Sequence, residues 1–156
     1  MNQPKNLKRA IILIVDDSAA DREIIKRALG RGRIRCDVYE AENGEKALQY
    51  LKKEAPYDKD SDSPVPDLIL LDINMPRVSG LEVLKHIRSD EALHRLPVIV
   101  LSTSKRDEDV IQSYNLGVNA FVSKPLAADE FIKAIQMLET FWLELVTLPP
   151  AEQGAT

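Results

Sequence analysis

Asp16 and Asp17 close the run IILIVDD, and Asp72 closes LILLD. Ser102 and Thr103 follow VIVL, while Ser123, Lys124 and Pro125 follow AFV. A charge placed directly after so apolar a run is costly to bury unless it is paired or holds a metal. Taken singly, these residues have plain roles: an Asp after a strand caps a helix, and a Lys-Pro pair makes a turn. Taken together, they define a chemistry. Carboxylates sharing a crevice repel, at about 4 kcal/mol for two unit charges roughly 4 Å apart with an effective dielectric near 20. A cation relieves that repulsion. The donors are all oxygen, so the ion is hard and divalent. Magnesium, or manganese in its place, suits best because it keeps several waters and pairs with phosphate. A divalent ion and an ammonium facing one carboxylate suit phosphoryl transfer, with the carboxylate attacking phosphorus. Asp72 is then the candidate acceptor, forming an acyl phosphate, and Ser102 can hydrogen-bond the new oxygens.

Bringing these residues together requires strands that end side by side. Apolar runs read as strands over Ile11–Val15, Cys36–Ala41, Leu68–Leu71, Val98–Leu101 and Ala120–Val122. Helical spacing separates them. Ser18 caps a helix bearing Ile24, Ile25, Ala28 and Leu29, with Gly30 and Gly32 at its exit. Asn43 and Gly44 open a second helix with Ala47, Leu48 and Leu51; Ser79 and Gly80 open a third with Leu81, Leu84 and Ile87. The fourth covers Asp107–Asn115 and stops at Gly117. The last runs from Ala128 towards Leu145, with Phe131, Ile132, Ile135, Leu138 and Trp142 as its stripe. Apolar strands alternating with amphipathic helices predict an α/β fold, one parallel sheet covered on both faces. In such sheets ligands bind beyond the carboxyl ends of the strands, where the acids, hydroxyls and lysine fall. The expected organisation is an extension over 1–9, one domain over 10–146 with an insertion loop at 55–66, and a flexible tail over 147–156.

The 156 residues carry a net charge of −4, with 44% hydrophobic and 29% charged residues. That balance suits a globular domain and argues against nucleic-acid binding, which needs a basic face. The basic tract Lys26, Arg27, Arg31, Arg33 and Arg35 reads as a solvated helix end. Cys36 is the one cysteine, which fits a reducing, cytoplasmic setting. The opening apolar run is too short for a signal peptide or a membrane span. His86 and His94 are isolated and read as surface residues. DKDSD invites a calcium-loop reading, but a loop starting at Asp58 puts Ser63 where Gly is needed and Ile69 where Glu belongs. Phe141, Trp142, Leu143, Leu145 and Val146 are hard to bury in one monomer and predict a homodimer through the last helix.

The segments IVDDS, LILLDINMPRVSGLEVL, VIVLSTS and AFVSKPL resemble the receiver domain of two-component response regulators, over about residues 10–143. The resemblance implies a flavodoxin-like, doubly wound sheet of five parallel strands in order 2-1-3-4-5. It implies Asp72 as the phosphorylated residue and a metal pocket of Asp16, Asp17, Asp72 and the Asn74 backbone carbonyl, with Asp17 the more direct ligand. Ser102 matches the switch hydroxyl, Lys124 the phosphoryl-pairing lysine and Phe121 the switch aromatic. Asn74 and Ser104 fall where dephosphorylation is tuned, and the Lys124–Pro125 bond is expected to be cis. A histidine kinase would supply the phosphoryl group, and the surface of the fourth helix, fifth strand and fifth helix would carry the signal, with no output domain. The tail and the acidic insertion are similar to single-domain regulators paired with phytochromes, which implies a light-sensing kinase upstream.

Two other readings stay open. A haloacid-dehalogenase-type phosphatase also uses an aspartyl phosphate, but its Asp-x-Asp turn is missing here: Asp16 and Asp17 are adjacent, and Asn74 stands two places after Asp72. A receiver-like interaction module without phosphotransfer usually lacks the pocket acids or the lysine, and this chain has both.

Overall fold

The computed structural model describes residues 9–31, 34–58 and 63–150. Five strands, β1 (Arg9–Val15), β2 (Arg35–Ala41), β3 (Leu68–Leu71), β4 (Val98–Ser102) and β5 (Ala120–Ser123), alternate with five helices. The helices are α1 (Ala19–Leu29), α2 (Gly44–Leu51), α3 (Gly80–Ser89), α4 (Asp107–Asn115) and α5 (Ala128–Glu139). All pairings are parallel, and the strand order is β2-β1-β3-β4-β5. The register aligns the strand ends, with Val15 opposite Leu71 and Ser102 opposite Ser123. The polar residues that follow the strands are thereby gathered on one edge.

Successive strand residues point to opposite faces. Leu13, Val15, Ile69, Leu71, Val98 and Val100 pack with Ala47, Tyr50, Val83, Leu84 and Ile87 of α2 and α3. Ile12, Ile14, Leu68, Leu70, Ile99 and Leu101 pack on the other face with Ile25, Ala28 and Leu29 of α1 and Phe131 and Ile135 of α5. Both β3 and β4 are buried along their whole length, as continuous apolar runs require.

Helix starts follow the capping residues. Ser18 accepts from the Asp21 amide and Asn43 from the Lys46 amide. Ser79 and Glu82 form a reciprocal capping box on α3. α4 and α5 are different: their N-caps, Arg106 and Ala127, make no side-chain cap, and Ser113 is the one buried residue of α4.

Two expectations change. The last helix does not continue as one α-helix to Leu145; after Glu139 it widens into a π-helix over Thr140–Leu145, closed by the Val146 amide on the Phe141 carbonyl. The wider turn leaves Trp142 and Leu143 half-buried on the α1–α5 core while Phe141 and Leu145 face outward. Second, the cis X-Pro bond among the described residues is Ala55–Pro56. The Lys124–Pro125 bond is trans, the lower-energy isomer of an X-Pro bond where the surroundings do not select cis. Thr147–Pro150 line a cavity of about 480 Å³ with Arg9, Ile34 and Asp67.

Residues 151–156, the extension before Arg9, Gly32, Arg33 and residues 59–62 of the DKDSD stretch lie outside the described residues. The nearer part of the insertion is tied down: the Tyr50 hydroxyl donates to the Pro64 carbonyl at 2.8 Å, and the Tyr50 ring packs on Tyr39 and Tyr57. No helix among the described residues is long and apolar enough to cross a membrane.

Candidate functional site

The ladder continues one step past each strand and fixes where the polar residues start. The Asp16 amide donates to the Ala41 carbonyl, the Asp72 amide to Val15, and the Lys124 amide to Ser102, at 3.2, 2.9 and 2.8 Å. Asp16, Asp72, Ser102 and Lys124 are all buried. Gly80 makes room for this edge from α3: a Cβ there would stand 2.2 Å from the Asp72 carbonyl oxygen. No side chain fits so close to backbone.

Asp16, Asp17 and Asp72 converge, each offering an oxygen within 4.8 Å of the others, the one such group among the described residues. Asp17 is exposed at the mouth while Asp16 and Asp72 lie inside. Lys124 enters from β5. Its ammonium lies 2.6 Å from Asp16 Oδ2, 2.9 Å from Asp21 Oδ2 and 3.4 Å from Asp72 Oδ2. The Asn74 amide donates to Asp72 Oδ1 at 3.1 Å. Asn74 Nδ2 donates to Ser102 Oγ at 3.2 Å, and the Ser104 amide donates to the same oxygen at 3.1 Å. Phe121 is half-buried on β5, against the α2–α3 side of the core, with its amide on the Tyr114 hydroxyl.

The charges set the site's reactivity. Burial pushes the Asp72 carboxyl above its ordinary range, and Asp16 adds to the push; Lys124 and the Asn74 amide pull the other way without cancelling it. A carboxylate whose charge is poorly stabilised is more basic and a better nucleophile. For Lys124, burial favours the neutral amine, but the hydrogen bonds to Asp16 and Asp21 and the Asp72 charge outweigh it and raise its pKa. The lysine therefore stays cationic. One ammonium among four nearby carboxylates leaves negative charge uncompensated. That surplus and the all-oxygen donor set fit a hard divalent ion held by Asp16, Asp17 and Asp72.

Asp21 is the pocket residue that the sequence does not disclose. It sits in the first turn of α1, where an acid is expected simply to complement the helix dipole. Arg22 was equally silent: it donates to the Asp16 carbonyl at 2.7 Å and to Glu40 at 2.8 Å, bracing the first pocket acid against β2. His86 and His94 are exposed and lie apart from the carboxylate cluster. Lys26 and Arg27 of the basic tract are engaged with Glu23 and Glu40.

The model of the response regulator receiver domain matches residues 12–136. The chain is 40% identical over 150 residues to the response regulator Rcp1 of Synechocystis sp., covering 96% of this chain and 97% of that protein. Among solved structures it is similar to the phosphorylated cyanobacterial phytochrome response regulator RcpA, at 38% identity and a TM-score of 0.86 over 92% of this chain and all of that one. The Mn(2+)-bound form of Rcp1 superposes with a TM-score of 0.85 at 40% identity, over 90% of this chain and 99% of that one. A sheet in this order with an acid cluster and a lysine at its carboxyl edge, matched over this length, places the chain in the response regulator receiver-domain family.

Proposed function

We propose that Asp72 accepts a phosphoryl group from the phosphohistidine of a histidine kinase. The observation that carries this reading is the Lys124 ammonium 3.4 Å from Asp72 Oδ2, beside the Asp16–Asp17–Asp72 cluster. An Asp72 carboxylate oxygen forms a bond to phosphorus as the bond from phosphorus to the donor nitrogen breaks. The nitrogen keeps the bonding pair and departs as imidazole. Lys124 faces the incoming charge. Magnesium held by Asp16, Asp17, Asp72 and the Asn74 backbone carbonyl would neutralise charge on the phosphoryl oxygens. The modification adds about −1.5 to −2 charges, and the Ser102 hydroxyl turns to donate to them. Phe121 turns inward behind it, changing the α4–β5–α5 surface on which Ile111, Tyr114 and Leu126 are exposed. Asn74 and Ser104 flank the acceptor and set how long the acyl phosphate survives water.

The protein turns over no small substrate; its reactions are its own phosphorylation and slow hydrolysis. Residues 10–146 form the receiver unit. Similarity to a phytochrome response regulator supports a phytochrome-type kinase as the donor, in the cytoplasm. Exposed Met137, Phe141 and Leu145 with half-buried Trp142 support a homodimer through the end of α5, with no nucleic-acid partner. Leu145→Glu then shifts the dimer to monomer in light scattering.

The decisive experiment incubates the chain with acetyl phosphate, or with a phosphorylated histidine kinase, with and without magnesium. Label appears only with the metal and is lost in Asp72→Asn. A wild-type chain that stays unlabelled with both donors refutes the proposal.

A further inference from the structure

The Lys124 ammonium has three hydrogens to donate and three carboxylate partners, so its donor capacity is fully used. Asp16 Oδ2 takes the closest contact at 2.6 Å and Asp21 Oδ2 the next at 2.9 Å, while Asp72 Oδ2 is left with the longest at 3.4 Å. The last distance is longer than the usual hydrogen bond. A phosphoryl group on Asp72 needs one of those hydrogens, and the other two partners are not equally ready to give one up. Asp16 is buried, and its other oxygen is held by the Ser18 amide at 2.9 Å. Taking the lysine from Asp16 strands a buried charge. The Asp21 side chain is 29% exposed, so water replaces the ammonium there at little cost.

The backbone holds Asp21 in place to compete. Its amide donates to the Ser18 hydroxyl at 3.1 Å, which fixes the first turn of α1. The next residue, Arg22, donates to the Asp16 carbonyl at 2.7 Å and to Glu40 at 2.8 Å, which locks that turn against the ends of β1 and β2. The carboxylate therefore meets Lys124 from a fixed element. The ammonium, at the end of a flexible stem, is the group that changes partners.

We propose that Asp21 is a positioning residue that competes with the acceptor site for the Lys124 ammonium. In the resting protein it draws the ammonium off Asp72 and leaves the attacking oxygen less neutralised. When a phosphoryl group arrives, Lys124 gives up Asp21, keeps Asp16 and turns to a phosphoryl oxygen. The pocket's hold on that group is weakened by the strength of the Asp21 contact, because a ligand must offset any interaction lost on binding. Asp21 thereby sets how tightly the phosphorylated state is held, from a position outside the carboxylate cluster. The inference rests on Asp72 being the acceptor.

The test compares the wild type with Asp21→Asn and Asp21→Glu in the full chain. It reads the Lys124 Nζ resonance of protein labelled with 15N-lysine, in chelator, then magnesium affinity, then beryllium fluoride affinity at saturating magnesium. In Asp21→Asn the resting Nζ signal moves part of the way to its position in the wild-type beryllium fluoride complex. Magnesium binds about two- to fivefold more weakly and beryllium fluoride about two- to fivefold tighter, the range of one partly solvated ion pair. Asp21→Glu keeps the charge and restores wild-type behaviour. The opposite signs exclude a merely structural role, since a loosened pocket loses both ligands. An Nζ signal that stays at the wild-type position in Asp21→Asn shows that Lys124 has not moved, and refutes the competition even where affinities change. Beryllium fluoride affinity that is unchanged or weaker in Asp21→Asn refutes it as well, as does an Asp21→Glu protein that behaves like Asp21→Asn. A wild-type chain that binds no beryllium fluoride and takes no label from acetyl phosphate instead overturns the assignment of Asp72, and this inference with it.

Discussion

The Lys124 ammonium is 2.9 Å from Asp21 and 3.4 Å from Asp72, so the lysine is moored more closely to α1 than to the residue it faces across the pocket. Asp16, at 2.6 Å, is the second mooring. Both hold Lys124 beside Asp72.

Removing one mooring differs from removing the lysine. Asp21 is partly exposed, with its side chain at 29%. Asp21→Ala therefore costs about 1 kcal/mol of unfolding free energy, the upper end for a solvated ion pair. Lys124→Met strands Asp16 and Asp72 without their cation and costs about 3–5 kcal/mol. Urea denaturation in chelator separates the two. Millimolar magnesium recovers part of the Lys124→Met loss, because an ion that binds only the folded state stabilises it.

Acid reveals the cost of keeping Asp72 ionised. Its folded pKa is raised, first by burial. Protonated Asp72 thus favours the fold below the unfolded carboxyl value, and that contribution is lost as pH rises through the folded value. In chelator, Asp72→Asn is more stable than wild type at pH 7, by about 1 kcal/mol. The advantage fades on acidification towards the ordinary aspartate range. Thermal melts of both proteins from pH 7 down to about pH 4 read the difference. A wild type that outlasts Asp72→Asn at neutral pH without metal contradicts the assignment of strain to this carboxylate.

Gly80→Ala drives a methyl group into the Asp72 carbonyl and the Ile73 Cα, at 2.2 and 2.6 Å. Backbone cannot yield as a side-chain tip can. The substitution costs about 3 kcal/mol, the upper range for overpacking, and displaces Asp72 as well. Denaturation and magnesium titration both register it; a stable variant with unchanged metal affinity would show that α3 can slide away freely.

Arg88 ties two loops together, the α3–β4 and α4–β5 connections. Its guanidinium donates to the carbonyls of His94, Leu96 and Gly117 and to Asn119 Oδ1, at 2.7 to 3.0 Å. Arg88→Ala leaves these acceptors to partial solvation and costs about 2–4 kcal/mol by urea denaturation. Arg88→Lys recovers less than half, because one ammonium cannot span a fork-shaped set of acceptors.

Arg88 also shows where reading the chain from residues alone runs out. Continuous apolar runs such as LILL and VIVL leave no alternative to buried strands, and a helix bounded by Asp107 and Gly117 announces both ends, so β3 and α4 have the bounds their patterns predict. The carboxylate cluster was legible because its acids directly follow two apolar strands, Asp16 and Asp17 after β1 and Asp72 after β3. Asp21 and Arg88 were not, since an acid in a first turn and a basic residue in a last turn look the same whether they serve the helix dipole or reach across the fold. The π-helix after Glu139 was hidden for a related reason: the spacing of Leu138, Trp142 and Leu145 fits α-helical periodicity, and packing decides where the turn widens. A trans Lys124–Pro125 bond departs from the family expectation, since the residues on either side of a proline do not by themselves select an isomer.

Lys124 meets Asp16 across 108 residues of chain, and the segment between them carries β2, β3, β4, β5 and four helices. A nascent polypeptide still short of its last strand therefore has the acids without the cation. A fragment clipped before β5 likewise keeps Asp16, Asp17 and Asp72 and loses Lys124. The complete cluster is therefore assembled only once the chain has reached its fifth strand.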